Sequence, residues 1–158
     1  MRGTSSPPRG APIDHVHDGL ALLYVRISPA KRPGSWQHLR SRVRSHYRGN
    51  ASVSTLRLSL GVLLGLELRC VGSGQRLTFT TPGEAELSFW MGANAFVCWH
   101  VVRQPWHVEE RLIRELNLPL NLDANQQHGF HPKLTAMRRD ARTRARALPT
   151  WPSARESS

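Results

Sequence analysis

Apolar side chains recur at helical spacing in Val108, Leu112, Ile113 and Leu116, and Pro119 closes the segment because its ring cannot continue the hydrogen-bond ladder. The pattern predicts an amphipathic helix with Glu109 at the edge of a buried stripe and Asn121 just past its stop. Leu20 to Ile27 is rich in branched and aromatic residues and ends at Ser28-Pro29. It predicts a largely buried strand followed by a loop, with Leu22, Tyr24 and Arg26 on one face. Helix formers from Trp36 to Tyr47, between Gly34-Ser35 and Arg48-Gly49-Asn50, predict a helix with Ser35 as N-cap and an apolar stripe of Leu39, Val43 and Tyr47. Arg40, Arg42 and Arg44 cannot all share one face of that helix.

The run from Leu58 to Leu66 is too short to span a membrane and is interrupted by Gly61 and Gly65, so it reads as a core helix. Arg76 to Thr80 reads as a strand, Pro82-Gly83-Glu84 opens a helix containing Ala85, Leu87, Trp90 and Met91, and Ala95 to Val102 reads as another strand. Glu84 and Glu86 are explained by the helix macrodipole. A last helix from Pro132 to Ala147 has Leu134, Met137 and Ala141 on its apolar side and carries Lys133, Arg138, Arg139, Arg142, Arg144 and Arg146. These elements predict an α/β (α+β) domain in which a small mixed or antiparallel central sheet is flanked by helices.

Charge changes this picture most. The 158-residue chain has a net charge of +11, and only two of its 22 basic residues are lysines. Arginine suits phosphate because its fork donates paired hydrogen bonds and stays charged, so a pI near 11.4 predicts salt-sensitive attraction to nucleic acid. Coding bias in a GC-rich genome would also enrich arginine, and each arginine-rich run has a plain alternative as a solvated basic face. Cys70 and Cys98 lie far apart without a Cys-x-x-Cys spacing, and both read as small core residues. The first ten residues are rich in Pro, Gly and Ser and lack the apolar stretch of a secretory signal, from which a cytoplasmic location is expected.

Three segments together resemble the GIY-YIG endonuclease family. Tyr24-Val25-Arg26 lies where the family's second signature ends a strand, and Leu39 to Ser45 resembles the helix that follows. Val108 to Asn121 resembles the third element. The resemblance spans residues 12–125, leaving disordered tails at 1–11 and 149–158 and a basic helical extension at 126–148. It implies hydrolysis of phosphodiester bonds in DNA with one Mg2+ or Mn2+ ion. Tyr24, or a water it orients, would help deprotonate the nucleophile, Arg42 would stabilise charge on the scissile phosphate, Glu109 would ligate the metal and Asn121 would position the site. Without the family, Glu109 reads as a solvated glutamate, Tyr24 as a half-buried strand tyrosine and Asn121 as a turn residue.

Two departures bear on catalysis. The first signature should fall near residues 11–16, where the chain has Ala11-Pro12-Ile13-Asp14-His15-Val16 and no tyrosine; His15 or His17 is the available substitute proton acceptor, or both are exposed loop residues. Arg26 replaces the glycine of the second signature. Two functions follow: a metal-dependent endonuclease, or a catalytically impaired nucleic-acid-binding module that kept the fold. A basic protein-interaction domain is a third. Nucleic acid, DNA first, is the expected partner, contacted by Arg40, Arg44, Arg138, Arg139 and Arg142, with no membrane and with sequence specificity either low or supplied by a protein partner.

Overall fold

A computed structural model describes residues 8, 10–28, 38–72 and 74–152. Among them the chain has an α+β architecture of five α-helices and two two-stranded antiparallel sheets. The first sheet is a hairpin of β1 (Val16–His17) and β2 (Leu20–Ala21), joined by Asp18-Gly19. Both turn residues have positive φ, 50° and 76°, the twist that a two-residue hairpin turn requires. The helix α1 (Leu39–Arg48) follows, then α2 (Thr55–Leu63), the second hairpin β3 (Leu68–Val71) and β4 (Arg76–Phe79), and α3 (Thr81–Asn94). After a long connection come α4 (Pro105–Leu116), a 3-10 turn at Leu122–Ala124 and α5 (His131–Ala147).

The core lies where α2 and α5 pack together, with α5 also covering β3 and α3 closing on β4. Every residue of α2 from Arg57 to Leu63 is buried, as befits a helix apolar on nearly all sides. Ser54 caps it by accepting the Arg57 N–H at 3.2 Å. Gly61 lets the Phe79 ring of β4 lie directly against the helix, in space a Cβ would occupy. On α5 the buried positions are Leu134, Ala141 and Ala145, leaving its arginines on the other faces.

Arg57 is fully buried and paired with Glu84, with Nη2 donating to Oε2 at 2.6 Å. The other Glu84 oxygen accepts from the Ala51 N–H at 2.8 Å and the Thr78 hydroxyl at 2.5 Å, while Arg57 Nη1 donates to the carbonyls of His46 and Tyr47 at 3.0 and 3.2 Å. The pair therefore ties α1, α2, α3 and β4 into one unit. Glu84 is thus the partner of a buried guanidinium, a larger role than its place in the first turn of α3 implies.

Several expected elements differ. Of the strand over residues 20–27 only Leu20–Ala21 pairs with another strand. Residues 95–102, expected as a strand, form none, and Phe96, Trp99 and Val101 are exposed there. Cys98 in this segment is exposed rather than a core residue, whereas Cys70 is buried. The strand β3 was not anticipated, although Leu66-Glu67-Leu68-Arg69-Cys70 alternates apolar and polar positions, because the apolar run before it reads as one helix through Leu66. Ser35, the expected cap of α1, lies outside the described residues; the helix begins after His38, which makes no side-chain cap. Of the N-terminal segment expected to be disordered, Pro8 and Ala11 are buried. In the C-terminal one, Trp151 donates its N–H to the Cys70 carbonyl at 2.8 Å and bridges Val71. Among the described residues no helix is long and apolar enough to cross a membrane.

Candidate active site

Residues 22–27 leave the first hairpin as extended chain whose edge is satisfied by side chains from far along the sequence. The Leu120 N–H donates to the Leu23 carbonyl at 3.1 Å. Asn121 then grips Val25 twice: its Oδ1 accepts the Val25 N–H at 2.9 Å and its Nδ2 donates to the Val25 carbonyl at 2.8 Å. Glu109 Oε1 accepts the Ile27 N–H at 3.2 Å. A carboxamide and a carboxylate thus replace a neighbouring strand, and by alternation Tyr24 and Arg26 face together.

Asn121 reaches this position because α4 ends abruptly. Asn117 caps it in the left-handed conformation at φ 46°, and Leu118, Pro119 and Leu120 then bury as the chain reverses. Asn125, itself buried, donates Nδ2–H to the Leu118 carbonyl at 2.9 Å and braces the reversal. His15 donates or accepts at the end of this helix too, with Nε2 2.6 Å from the Leu116 carbonyl, and since a carbonyl only accepts, that nitrogen carries the hydrogen. His15 thereby braces α4, and His17 sits fully out in solvent, 3.8 Å from Asp18.

Four further groups converge on Tyr24. Arg42 and His46 lie one turn apart on α1 and share a face, while Arg40 and Arg44 are exposed on the opposite side. The His46 ring stands edge-on to Tyr24, centroids 6.0 Å apart at 84°, with Nδ1 2.8 Å from Ser54 Oγ. Its Nε2 is buried and has no hydrogen-bond partner among the described residues. Arg26 Nη1 lies 3.6 Å from Glu109 Oε1, and the Glu109 side chain is only 14% exposed. A glutamate read as half-sheltered is in fact well sheltered.

The electrostatics follow from this crowding. Burial raises the Tyr24 phenol above its ordinary value, against the opposing pull of Arg26, a hydrogen bond with Thr55 and Arg42, while Glu109 pushes the same way as burial. Tyr24 is therefore a neutral phenol at pH 7. Burial and then the charges of Arg42, Arg26 and Arg57 lower His46 to about 4, so its imidazole is neutral as well. Arg42 is lowered by burial and by Arg26, with Tyr24 and Glu109 opposing, yet a guanidinium stays charged.

The remaining arginines divide by position. Arg138, partly buried on α5, lies within electrostatic reach of Arg142, Asp123 and Tyr24. Arg142 is one turn further on, and Arg139 is exposed beside Asp140 at 3.2 Å. His46 escaped the sequence reading although the Arg-x-x-x-His spacing after Arg42 was there to signal it. Arg26, which stands out in the sequence only as the replacement for a signature glycine, is a charged member of the cluster.

No group of three or more His, Cys, Asp or Glu side chains gathers among the described residues. Among the described residues Glu109 Oε1 meets the Ile27 N–H and Arg26, and a carboxylate so placed suits a hard cation that draws its other ligands from water and phosphate oxygens, the usual manner of magnesium.

A small α+β fold that presents tyrosine, arginine, histidine and glutamate from one extended segment and two helices has the form of a nuclease-type domain. The GIY-YIG catalytic domain model matches residues 11–140, and the chain belongs to that family. Comparisons with curated proteins and with solved structures find no match.

Proposed function

We propose that the protein is a divalent-metal-dependent endonuclease that hydrolyses phosphodiester bonds in DNA. The observation that supports this most is the gathering of Tyr24, Arg42, His46 and Glu109 around one face of the 22–27 segment. Glu109 would hold Mg2+ or Mn2+, which when bound withdraws charge from a phosphoryl oxygen. Arg42, a charged and partly desolvated guanidinium, stabilises the charge that grows on the phosphate. The neutral phenol oxygen of Tyr24 accepts a hydrogen bond from the attacking water. His46 is the free base beside it and takes up the proton released. Its basicity is suppressed partly by Arg42 and Arg26, so an anionic phosphate lodged between those two offsets their field and restores basicity when substrate is present.

A second reading has its own support. Arg26 stands at Glu109, placing a fixed positive charge beside the carboxylate that would take the metal, as in a DNA-binding module that has lost turnover. Supercoiled, nicked and branched DNA incubated with the protein, with Mg2+, Mn2+ or chelator, separates the two. The nuclease predicts metal-dependent cleavage that drops at least about a hundredfold in Glu109→Ala while DNA affinity persists. Salt-sensitive binding without cleavage of any of these substrates would establish the binding module instead.

A further inference from the structure

Beside the Tyr24 cluster opens a groove of about 400 Å3, walled by residues 51–55 on one side, Gln75–Leu77 on another and Arg142 of α5 on a third. It is joined to the cluster through its own lining. Ser54 hydrogen bonds His46 at 2.8 Å, and the Thr55 side chain next to it lies close enough to Tyr24 to influence its phenol. One turn before Arg142, Arg138 lies within electrostatic reach of both Arg142 and Tyr24, and its buried Nε has no hydrogen-bond partner among the described residues.

The lining is chemically divided. Ala51, Leu58 and Leu77 are apolar, whereas Arg76 and Arg142, from two elements distant in sequence, supply guanidinium groups. A nucleotide has the same division, an apolar base face and an anionic phosphate, and a cavity of this volume is the size of a small-ligand pocket. A base within a duplex is stacked and paired and cannot enter a concave site without leaving the helix, at a cost of a few kcal/mol that a strand already unpaired does not bear. Among the described residues the lining contains no aromatic ring for stacking, so the base would be held by apolar contact and size, with little preference for its identity.

We propose that this groove is a subsite for one unpaired nucleotide of the cleaved strand, its phosphate held by Arg76 and Arg142 and its base against Ala51, Leu58 and Leu77. The substrate is then DNA whose strand leaves the duplex beside the scissile phosphate: a fork, flap or single-stranded tail. This rests on the reading that the Tyr24 cluster receives a nucleic-acid phosphodiester, and it goes beyond that reading by naming the kind of DNA.

Binding of the full chain carrying Glu109→Gln, measured by fluorescence anisotropy, tests the subsite without any need for turnover. Two probes of equal length are compared, one a fork with splayed arms and one a blunt duplex. The fork is expected to bind about tenfold tighter than the duplex, and Arg142→Ala to remove most of that difference by weakening the fork alone about tenfold. Arg142→Lys, which keeps the charge but not the fork of donors, should recover only part of it. Arg76→Ala, at an exposed position, serves as the second variant if Arg142→Ala shifts the thermal unfolding midpoint. Equal affinity for the two probes, or equal losses on both in the arginine variants, would overturn the proposal and leave a general basic surface. Fork preference without cleavage by the unsubstituted protein would sink the nuclease and keep the subsite; cleavage without fork preference would do the reverse.

Discussion

His46 is held at a pKa of about 4 against an ordinary 6.5, and that difference couples one side chain to the stability of the whole domain. Between those two values the unfolded chain binds a proton that the folded chain refuses, so stability rises with pH through that window and is unaffected by His46 above it. With partial solvent screening allowed for, the loss on acidification from pH 7 to pH 4 is on the order of 2 kcal/mol. Urea unfolding at pH 7, 5.5 and 4 in the parent and in His46→Gln measures it: the parent should lose that much more stability than the variant on acidification, since other titrating groups are common to both. How far the residues were legible in the sequence depends on where their partners lie. Arg42 turning in while Arg40 and Arg44 turn out follows from helical spacing alone. That Glu84 serves a buried arginine does not, because Arg57 lies 27 positions away and only the fold brings them together.

The helices were legible as elements because amphipathic periodicity is local: α4 and α5 fall within a few residues of their expected bounds. Extended segments were less so, because strand identity depends on what lies alongside. Leu20 to Ile27 has strand composition, but beyond Ala21 its edge is met by Asn121 and Glu109 side chains, which no pattern within the segment could announce. Residues 95–102 show the converse, apolar and branched in sequence yet unpaired, with Trp99 70% and Val101 86% exposed. Packing between α2 and β4 yields a prediction at this scale. Alanine is a better helix former than glycine by about 1 kcal/mol, so propensity alone favours Gly61→Ala. A methyl group there collides with the Phe79 ring, which is itself fully buried, and overpacking costs about 1–3 kcal/mol. The net effect should be destabilising, read as a lower denaturation midpoint at an unchanged m-value; an increase would mean that α2 and β4 have room to part.

At the scale of the molecule, the +11 charge acts as a field as well as a set of contacts. Arg42, Arg76, Arg138 and Arg142 supply charge that can neutralise about four phosphates, giving log affinity for forked DNA a slope of about −3 to −4 against log salt. Filter binding between 50 and 300 mM salt measures it. Glu109→Ala should leave that slope unchanged and Arg142→Ala should shallow it by about one. A slope near zero would mean that the basic surface serves some other purpose.

The double grip of Asn121 on Val25 also has a consequence for the order in which the molecule comes into being. A ribosome makes Tyr24 nearly a hundred residues before it makes the side chain that fixes the backbone next to it, and Glu109 follows almost as late. Through most of synthesis the tyrosine therefore rides on a segment with neither anchor, and nucleic acid near the growing chain meets basic side chains with no assembled centre among them. The grip closes only when the reversal after α4 emerges and meets an extended segment made long before it.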